Sequence, residues 1–340
     1  MKTIKLGSTG LEVSRLSLGC MTYGDPGWRP WILPEKEARA HIARAIELGF
    51  NFFDTADMYS NGASEEVTGK ILKELSHRED YVLATKCFYP HADRPNRKGL
   101  SRKHILAACD SSLKRLGHDY IDLYQIHRLD HTTPMEEILD ALDSLVRAGK
   151  VRYLGASSMA AWEFATLLFL ADKNGFHRFV SMQNHYNLVY REEEREMIPL
   201  CLSQGVGLIP WSPLARGFLA GTRKREGKGP TPRAGSDPFA DDMYFRDEDW
   251  NVVDALVAVA RELGKKPAQV ALAWLLSLPG VDAPIVGTTK LEQLEELVEA
   301  VDLKLGGEHV EKLEKAYRPH PILGHKQRTP RELGLRKTPA

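Results

Sequence analysis

The stretch Gly49-Phe50-Asn51-Phe52-Phe53-Asp54-Thr55-Ala56-Asp57-Met58-Tyr59 decides how this chain is read. Its apolar run, Phe50 to Asp54, reads as a buried strand that ends in an acid, with a tyrosine one short turn later. Two later runs end the same way. Tyr81 to Lys86 closes on Ala84-Thr85-Lys86, and Tyr120 to His127 closes on Gln125-Ile126-His127. An acid, a phenol, an ammonium and an imidazole therefore stand at or just beyond the carboxyl ends of strands. In a parallel barrel that rim is where catalytic groups are placed.

Working outward, helical and extended patterns alternate along the chain. Glu35 to Leu48 puts Ala38, Ile42, Ala45 and Ile46 on one face, and Gly49 stops it. Helices are also expected over Ser64–Leu75, Ser101–Leu116, Ala160–Asp172, Glu193–Ser203, Pro267–Ser277 and Leu291–Val301. One more begins with Thr133 as N-cap, Pro134 in the first turn and Glu136 completing a capping box, and runs to near Gly149. Pro199 should kink or shorten the helix that contains it. Strands are expected over Ser14–Gly19, Val151–Ser157, Phe179–Asn184, Val206–Trp211 and Ala283–Val286, besides the three above. Eight strand–helix repeats predict an α/β fold, a closed (β/α)₈ TIM barrel. Lys2 to Arg15, turning at Ser8-Thr9-Gly10, reads as an N-terminal hairpin plugging the far end. Residues 1–317 are taken as one barrel domain and 318–340 as a C-terminal tail.

Two segments break the rhythm. Ser212 to Phe245 carries Gly217, Gly221, Gly227, Gly229, Pro230, Pro232 and Gly235, too long for a plain connection, and reads as a rim lid. Arg318 to Ala340 is polar, with prolines and basic residues, and is either a substrate-covering segment or a frayed end.

Composition narrows the class. In 340 residues, 43% hydrophobic and 27% charged, Lys+Arg and Asp+Glu both number 46, so no net field recruits nucleic acid or a membrane surface. Met1 to Leu18 lacks the apolar core of a secretion signal, and no apolar run approaches the roughly 20 residues of a membrane span. Cys20, Cys87, Cys109 and Cys201 lack metal-site spacing, which suggests a reducing cytoplasm and no structural metal. Cys87, beside Lys86, is expected to be an inert core thiol, because successive strand residues face opposite sides.

The strand-end groups suggest a chemistry. A free phenol has a pKa near 10 and parts with its proton reluctantly. An ammonium at Lys86 would lower the pKa of Tyr59 and ease proton donation to a developing alkoxide. Asp54 would hold that ammonium in place, and His127 would orient the substrate oxygen. Such a site protonates a carbonyl but contains no reductant. Ser157, Ser158, Gln183 and Asn184 offer groups for a nicotinamide carboxamide, and Trp211 offers a face for the ring. Ser212-Pro213-Leu214-Ala215-Arg216-Gly217 could wrap a pyrophosphate, and Gly287-Thr288-Thr289-Lys290 could take a further phosphate. No G-x-G-x-x-G follows a first strand, so a Rossmann domain is not indicated.

At this point the chain resembles the aldo-keto reductase family. G-F-N-F-F-D-T-A-x-x-Y, the A-T-K strand end, D-L-Y-x-x-H, the Q-N pair, S-P-L-x-R-G and P-I-V-G-x-x-K-x-E-Q-L follow in family order, from about Lys5 to Val301. The resemblance implies Tyr59 as proton donor, Lys86 and Asp54 tuning it, His127 orienting substrate, and NADP(H) bound in extended form. The adenine end departs from the pattern. Many members carry an arginine near Thr289 and an asparagine at Leu297, whereas here Thr288, Lys290 and Gln293 must grip any 2′-phosphate. NADPH is preferred over NADH.

The expected function is an NADPH-dependent oxidoreductase reducing a small-molecule aldehyde or ketone. Two other classes are weighed against it. A Schiff-base aldolase would use Lys86, but Asp54 would keep that amine protonated. A non-catalytic NADP(H)-binding sensor, as potassium-channel β-subunits resemble, is disfavoured by the intact tetrad. Trp28 and Trp31, with Met21, Thr22 and Tyr23, either wall a substrate pocket or anchor their loop, and aromatic Trp28, Trp31, Phe88 and Tyr89 point to an aromatic or alkyl aldehyde rather than a bare sugar. His185 and Tyr186 read as structural.

Overall fold

The computed structural model describes residues 1–90, 94–221, 223–225, 232–326 and 332–333. Gly227, Gly229 and Pro230 of the expected lid, and most of the tail after Lys326, lie outside the described residues. Strands β1 (Thr3–Lys5) and β2 (Glu12–Ser14) pair antiparallel, Ile4 opposite Val13, as the expected hairpin. Eight more follow: β3 (Ser17–Gly19), β4 (Phe52–Asp54), β5 (Val82–Cys87), β6 (Ile121–Ile126), β7 (Val151–Ser157), β8 (Phe179–Gln183), β9 (Gly207–Leu208) and β10 (Ile285–Val286). They pair in parallel in the order β10-β3-β4-β5-β6-β7-β8-β9. Leu208 also bridges to Val281 in parallel, and the Ile285 N–H donates to the Pro210 carbonyl at 2.9 Å. Those contacts join the two edges, so the sheet curls into the expected (β/α)₈ barrel.

Period-2 alternation separates two interiors. Phe53, Leu83, Tyr124, Ile126, Leu154 and Met182 point outward into the large cluster shared with the helices. Phe52, Val82, Ala84, Leu123, Ile209 and Ala283 form a separate cluster with Leu6 and Val13 of the hairpin. This second cluster is the floor of the lumen, plugged by β1 and β2. Asp54, Lys86, Gln125 and His127 are in phase with it, so the same alternation that packs the floor raises polar side chains above it.

Most helices lie within a residue or two of expectation. Glu35–Glu47 ends before Gly49, whose φ of 85° is left-handed, and Arg102–Leu116 begins with the Ser101 hydroxyl accepting the His104 N–H at 3.3 Å. Thr133 is not the N-cap expected of it. That helix is Met135–Arg147, Pro134 precedes it, and the Thr133 hydroxyl donates instead to Asp130 at 2.8 Å. Asp130 also takes the Leu100 N–H and the Thr132 hydroxyl, a competing site that outweighs one cap bond. Pro199 falls in the first turn of Met197–Gln204, where a missing N–H costs nothing. The alternation does not announce the helix Asp247–Glu262, which packs beside Pro267–Leu276. Among the described residues no helix is long and apolar enough to cross a membrane.

Candidate active site

The strand ends converge on one buried ion pair. Lys86 Nζ donates to Asp54 Oδ1 at 2.5 Å and to the Thr55 carbonyl at 2.7 Å, with Lys86 0% and Asp54 2% exposed. Asp54 pairs across the sheet with Ala84, two residues below Lys86, so the long lysine stem bends back to it. The other carboxylate oxygen takes N–H bonds from Gln125 and Gln183, each at 2.9 Å, and Gln183 also donates to Gln125 Oε1 at 3.1 Å. Every oxygen of this buried acid is thus supplied, which makes an ionised pair tolerable away from water. Gly155 leaves the room: a Cβ there would lie 2.7 Å from both Gln125 Cγ and Ser181 Oγ.

Tyr59 lies above the pair, with Lys86 Nζ 5.0 Å from its ring centre. The His127 ring meets it edge-on at 5.8 Å, Tyr89 meets His127 at 4.9 Å, and Trp28 faces Tyr59 at 6.5 Å. An indole and an imidazole therefore flank the phenol, with a second phenol packed behind the imidazole. Burial pushes the phenol pKa up, and Lys86 pulls it back only in part, so it stands above its ordinary value of 10. This corrects the expected lowering: the ammonium limits a rise that burial imposes. Burial also works against the Lys86 ammonium, but Asp54 and then Tyr59 outweigh it and hold its pKa above 10.5. Burial, then the charges of Lys86 and Arg128, push His127 well below 6.5, so its imidazole is neutral.

The expected cofactor residues line the neighbouring rim, with three differences. Gln183 has its amide nitrogen on Asp54, so it braces the acid. Arg216 Nη1 is bonded to Asp237 Oδ2 at 2.5 Å, which also takes Arg233 Nε at 2.9 Å. Burial pushes the Asp237 pKa up, yet the two guanidinium groups outweigh it and hold the acid below its usual range. Trp211 has one face covered by His185, stacked at 4.2 Å and in turn stacked on Tyr190 at 4.2 Å. Its indole N–H donates to Ser158 Oγ at 2.9 Å, and the Ser157 hydroxyl donates to the Gln183 carbonyl at 2.8 Å. His185 is structural, bonded to the Tyr244 hydroxyl at 2.6 Å.

Other groups remain available to a ligand. Fully buried Asn184 has neither side-chain amide atom bonded, and the buried Thr288 hydroxyl is likewise unbonded, among the described residues. Unused amide and hydroxyl groups fit a ligand with a carboxamide and hydroxyls. Pro213 is buried, Ser212, Leu214 and Gly217 are half-buried, and Gly287, Thr289, Lys290 and Gln293 are exposed, so the outer rim is open. Leu297 is buried in the core.

Among the proposed pocket residues, Trp28 and Met21 are half-buried and Trp31 is buried under the Arg233 guanidinium at 4.5 Å. Tyr23 is not a pocket wall. It is fully buried in the outer core against His41, because its loop turns it away from the lumen. Cys87 is fully buried and burial raises its thiol pKa, which makes it inert. The tail's first part packs on the rim: Leu323 exchanges hydrogen bonds with the Tyr190 hydroxyl, and a Cβ on Gly324 would lie 3.0 Å from the Trp211 ring. Sequence reading does not single out Gln125, although its spacing of two from His127 places both in the lumen.

Comparison with known proteins agrees with this geometry. A family model described as the Aldo/keto reductase family matches residues 15–318. A versiconal hemiacetal acetate reductase of Aspergillus parasiticus is 46% identical over 95% of this chain and 98% of its own. A Schizosaccharomyces pombe protein provisionally named an aryl-alcohol dehydrogenase is 43% identical over 94% of this chain and 96% of its own. An aldo-keto reductase of Alternaria alternata is 43% identical over 94% and 93%.

Proposed function

Since the chain belongs to the aldo/keto reductase family and is an oxidoreductase acting on carbonyls, we propose that it reduces aromatic or alkyl aldehydes and ketones with Tyr59 as general acid. The observation that carries this reading is the fully buried Lys86–Asp54 pair, 2.5 Å long, directly beneath the Tyr59 ring. A phenol with its pKa above 10 holds its proton through neutral pH, as a general acid must. Lys86 steadies the negative charge left on the oxygen after transfer, and Asp54 keeps Lys86 ionised and aimed. His127, neutral, donates one ring N–H to the substrate oxygen and holds the carbonyl against the phenol. A raised Lys86 pKa leaves no free amine for an imine, which argues against aldolase chemistry.

NADPH would supply the hydride when bound. Asn184, Ser157 and Ser158 would hold its carboxamide, and the face of Trp211 not covered by His185 would support the ring. Ser157 already donates its hydroxyl proton, so it would meet the carboxamide as an acceptor. Ser212 to Gly217, with Arg216, would meet the pyrophosphate, while Thr288, Thr289, Lys290 and Gln293 at the start of the helix Leu291–Val298 would meet the 2′-phosphate. Trp28, Tyr89 and His127 form an aromatic wall that favours a flat or apolar substrate.

Replacing Tyr59 by Phe removes one oxygen and keeps the ring that Trp28 and His127 pack on. Benzaldehyde reduction should fall by about 10²-fold or more, with NADPH fluorescence titration unchanged. Near wild-type turnover in that variant would show that the proton comes from elsewhere.

A further inference from the structure

Tyr59 is followed by a turn with an unusual backbone. Ser60, Asn61 and Gly62 all have positive φ, at 49°, 54° and 98°. Left-handed backbone is costly for a serine and persists only where the surroundings over-determine it. Here they do, from two sides. Gly24, in the first part of the loop after β3, lies so close that a Cβ on it would come 2.6 Å from Ser60 Oγ. On the other side Arg115 crosses the turn, and a Cβ on Gly62 would meet its Cδ at 2.7 Å. Arg115 is held there by Glu65: Nε to Oε2 is 2.6 Å, with the carboxylate wholly buried. The other oxygen of Glu65 accepts the Thr85 hydroxyl at 2.5 Å, and Thr85 immediately precedes Lys86 on β5. A continuous chain of contacts thus runs from the turn behind Tyr59, through Arg115 and Glu65, to the strand that carries Lys86.

We infer that the Arg115–Glu65 pair, its carboxylate wholly buried and its guanidinium half-buried, is a positioning device that sets the Tyr59 phenol against the Lys86 ammonium. Neither residue touches the lumen; both act through the turn and through Thr85. Lysine and tyrosine arrive on separate elements, β5 and the turn after β4, and their backbones share few direct bonds. The Asp57 N–H to the Lys86 carbonyl at 3.1 Å is one. A misplacement of about 1 Å between acid and substrate oxygen is enough to cost about 10²-fold in rate. This inference rests on the reading of Tyr59 as the acid.

The test compares Glu65→Gln, Arg115→Met and the double variant with Tyr59→Phe in parallel. Each single variant should lower kcat for benzaldehyde by about 10- to 100-fold, with KM and NADPH binding within about twofold. The isotope effect with 4-deuterated NADPH should rise as chemistry becomes limiting. The double variant removes the buried carboxylate together with its half-buried guanidinium partner while keeping most of their bulk, so its melting temperature should recover in part but its kcat should not. Arg115→Lys, which restores the charge, should regain part of the rate. Should the singles fold poorly, Thr85→Val, losing one hydroxyl, should still lower kcat several-fold. Wild-type kcat in the singles or in Thr85→Val, or kcat recovering with stability in the double variant, would overturn the inference. If Tyr59→Phe itself stays active, the reading of the acid has failed instead.

Discussion

Replacing Asp54 by Asn tests the centre of the site with almost no change of shape. Lys86 is 0% exposed, and its ammonium donates to Asp54 and to the Thr55 carbonyl, with the neutral Tyr59 phenol beside it. The variant would leave an ammonium buried without a counter-charge. It would also turn an amide NH₂ toward Gln125 and Gln183, both of which now donate to Oδ2, so one amide must flip or lose its partner. Breaking a buried pair by removing one member costs about 3–5 kcal/mol. At about 2 °C per kcal/mol for a large domain, the melting temperature should fall by about 6–10 °C. The deficit should depend on pH, and its sign follows from linkage. In the wild type the Lys86 pKa is raised, so its contribution is present below 10.5 and fades above. In the variant burial acts unopposed and the folded pKa falls below the unfolded one, so stability grows as pH rises. The gap between the two proteins should therefore be wide at pH 7 and narrow toward pH 10, read by thermal melts across that range. A gap under about 1 kcal/mol, or one indifferent to pH, would refute the claim that Asp54 is what keeps Lys86 charged.

Two further substitutions probe the support around that pair and a distant acid. Gly155→Ala places a methyl 2.7 Å from Gln125 Cγ and should push that side chain off Asp54, lowering stability by about 1–3 kcal/mol and turnover with it. Unchanged melting and rate would mean that Gln125 is dispensable. Burial, then the neighbouring Glu192, raises the Glu193 pKa from 4.5 to about 8. A raised carboxyl binds a proton more tightly folded than unfolded, so stability is lost as pH climbs from about 4.5 to about 8. Glu193→Gln should abolish that loss, worth about 5 kcal/mol at most at pH 8, and leave stability unchanged at pH 4. Equal melting of both proteins at every pH would show that Glu193 is solvated after all.

The barrel and the tetrad were legible because both are written locally. A strand's period of two and its last residue are adjacent in sequence, so Phe52 and Asp54, or Leu123, Gln125 and His127, declare a shared face without any knowledge of partners. What could not be read depends on distant partners. Arg216 reads from its sequence as a free guanidinium, and only the structure shows that it is also bonded to Asp237, far along the same loop. Tyr23 looks like a pocket aromatic because nothing in a loop's sequence says which way it turns; His41 on the following helix decides that. Thr133 fits a capping pattern, yet Asp130, three residues earlier, competes for its hydroxyl and wins. The helix Asp247–Glu262 carried its own signal, with Trp250, Val253 and Leu256 in the core and acids in its first turn, but lay outside the expected strand–helix count. Glu65 gave no cue at all. An acid on an amphipathic helix reads as solvated, and only the approach of Arg115 and Thr85 makes its burial tolerable.

The charge states of the site predict a pH profile that no single member would suggest. Burial raises the Tyr59 phenol above 10, Asp54 raises Lys86 above 10.5, and burial keeps His127 uncharged well below 6.5. None of these three groups changes charge between about pH 6 and 9, so kcat/KM for aldehyde reduction should be flat there. It should fall only above pH 10, when the phenol loses the proton it donates. The reverse reaction needs the same group as a base. Alcohol oxidation should therefore climb about tenfold per pH unit across the range in which reduction is level, because each unit raises the phenolate fraction tenfold. Both limbs belong to one group, so a variant that shifts one must shift the other equally. Lys86→Met removes the cation that most lowers the phenol pKa, and both limbs should move together to higher pH. A limb centred near pH 7 in the reductive direction, or limbs that part company in Lys86→Met, would mean that the proton travels through a residue other than Tyr59.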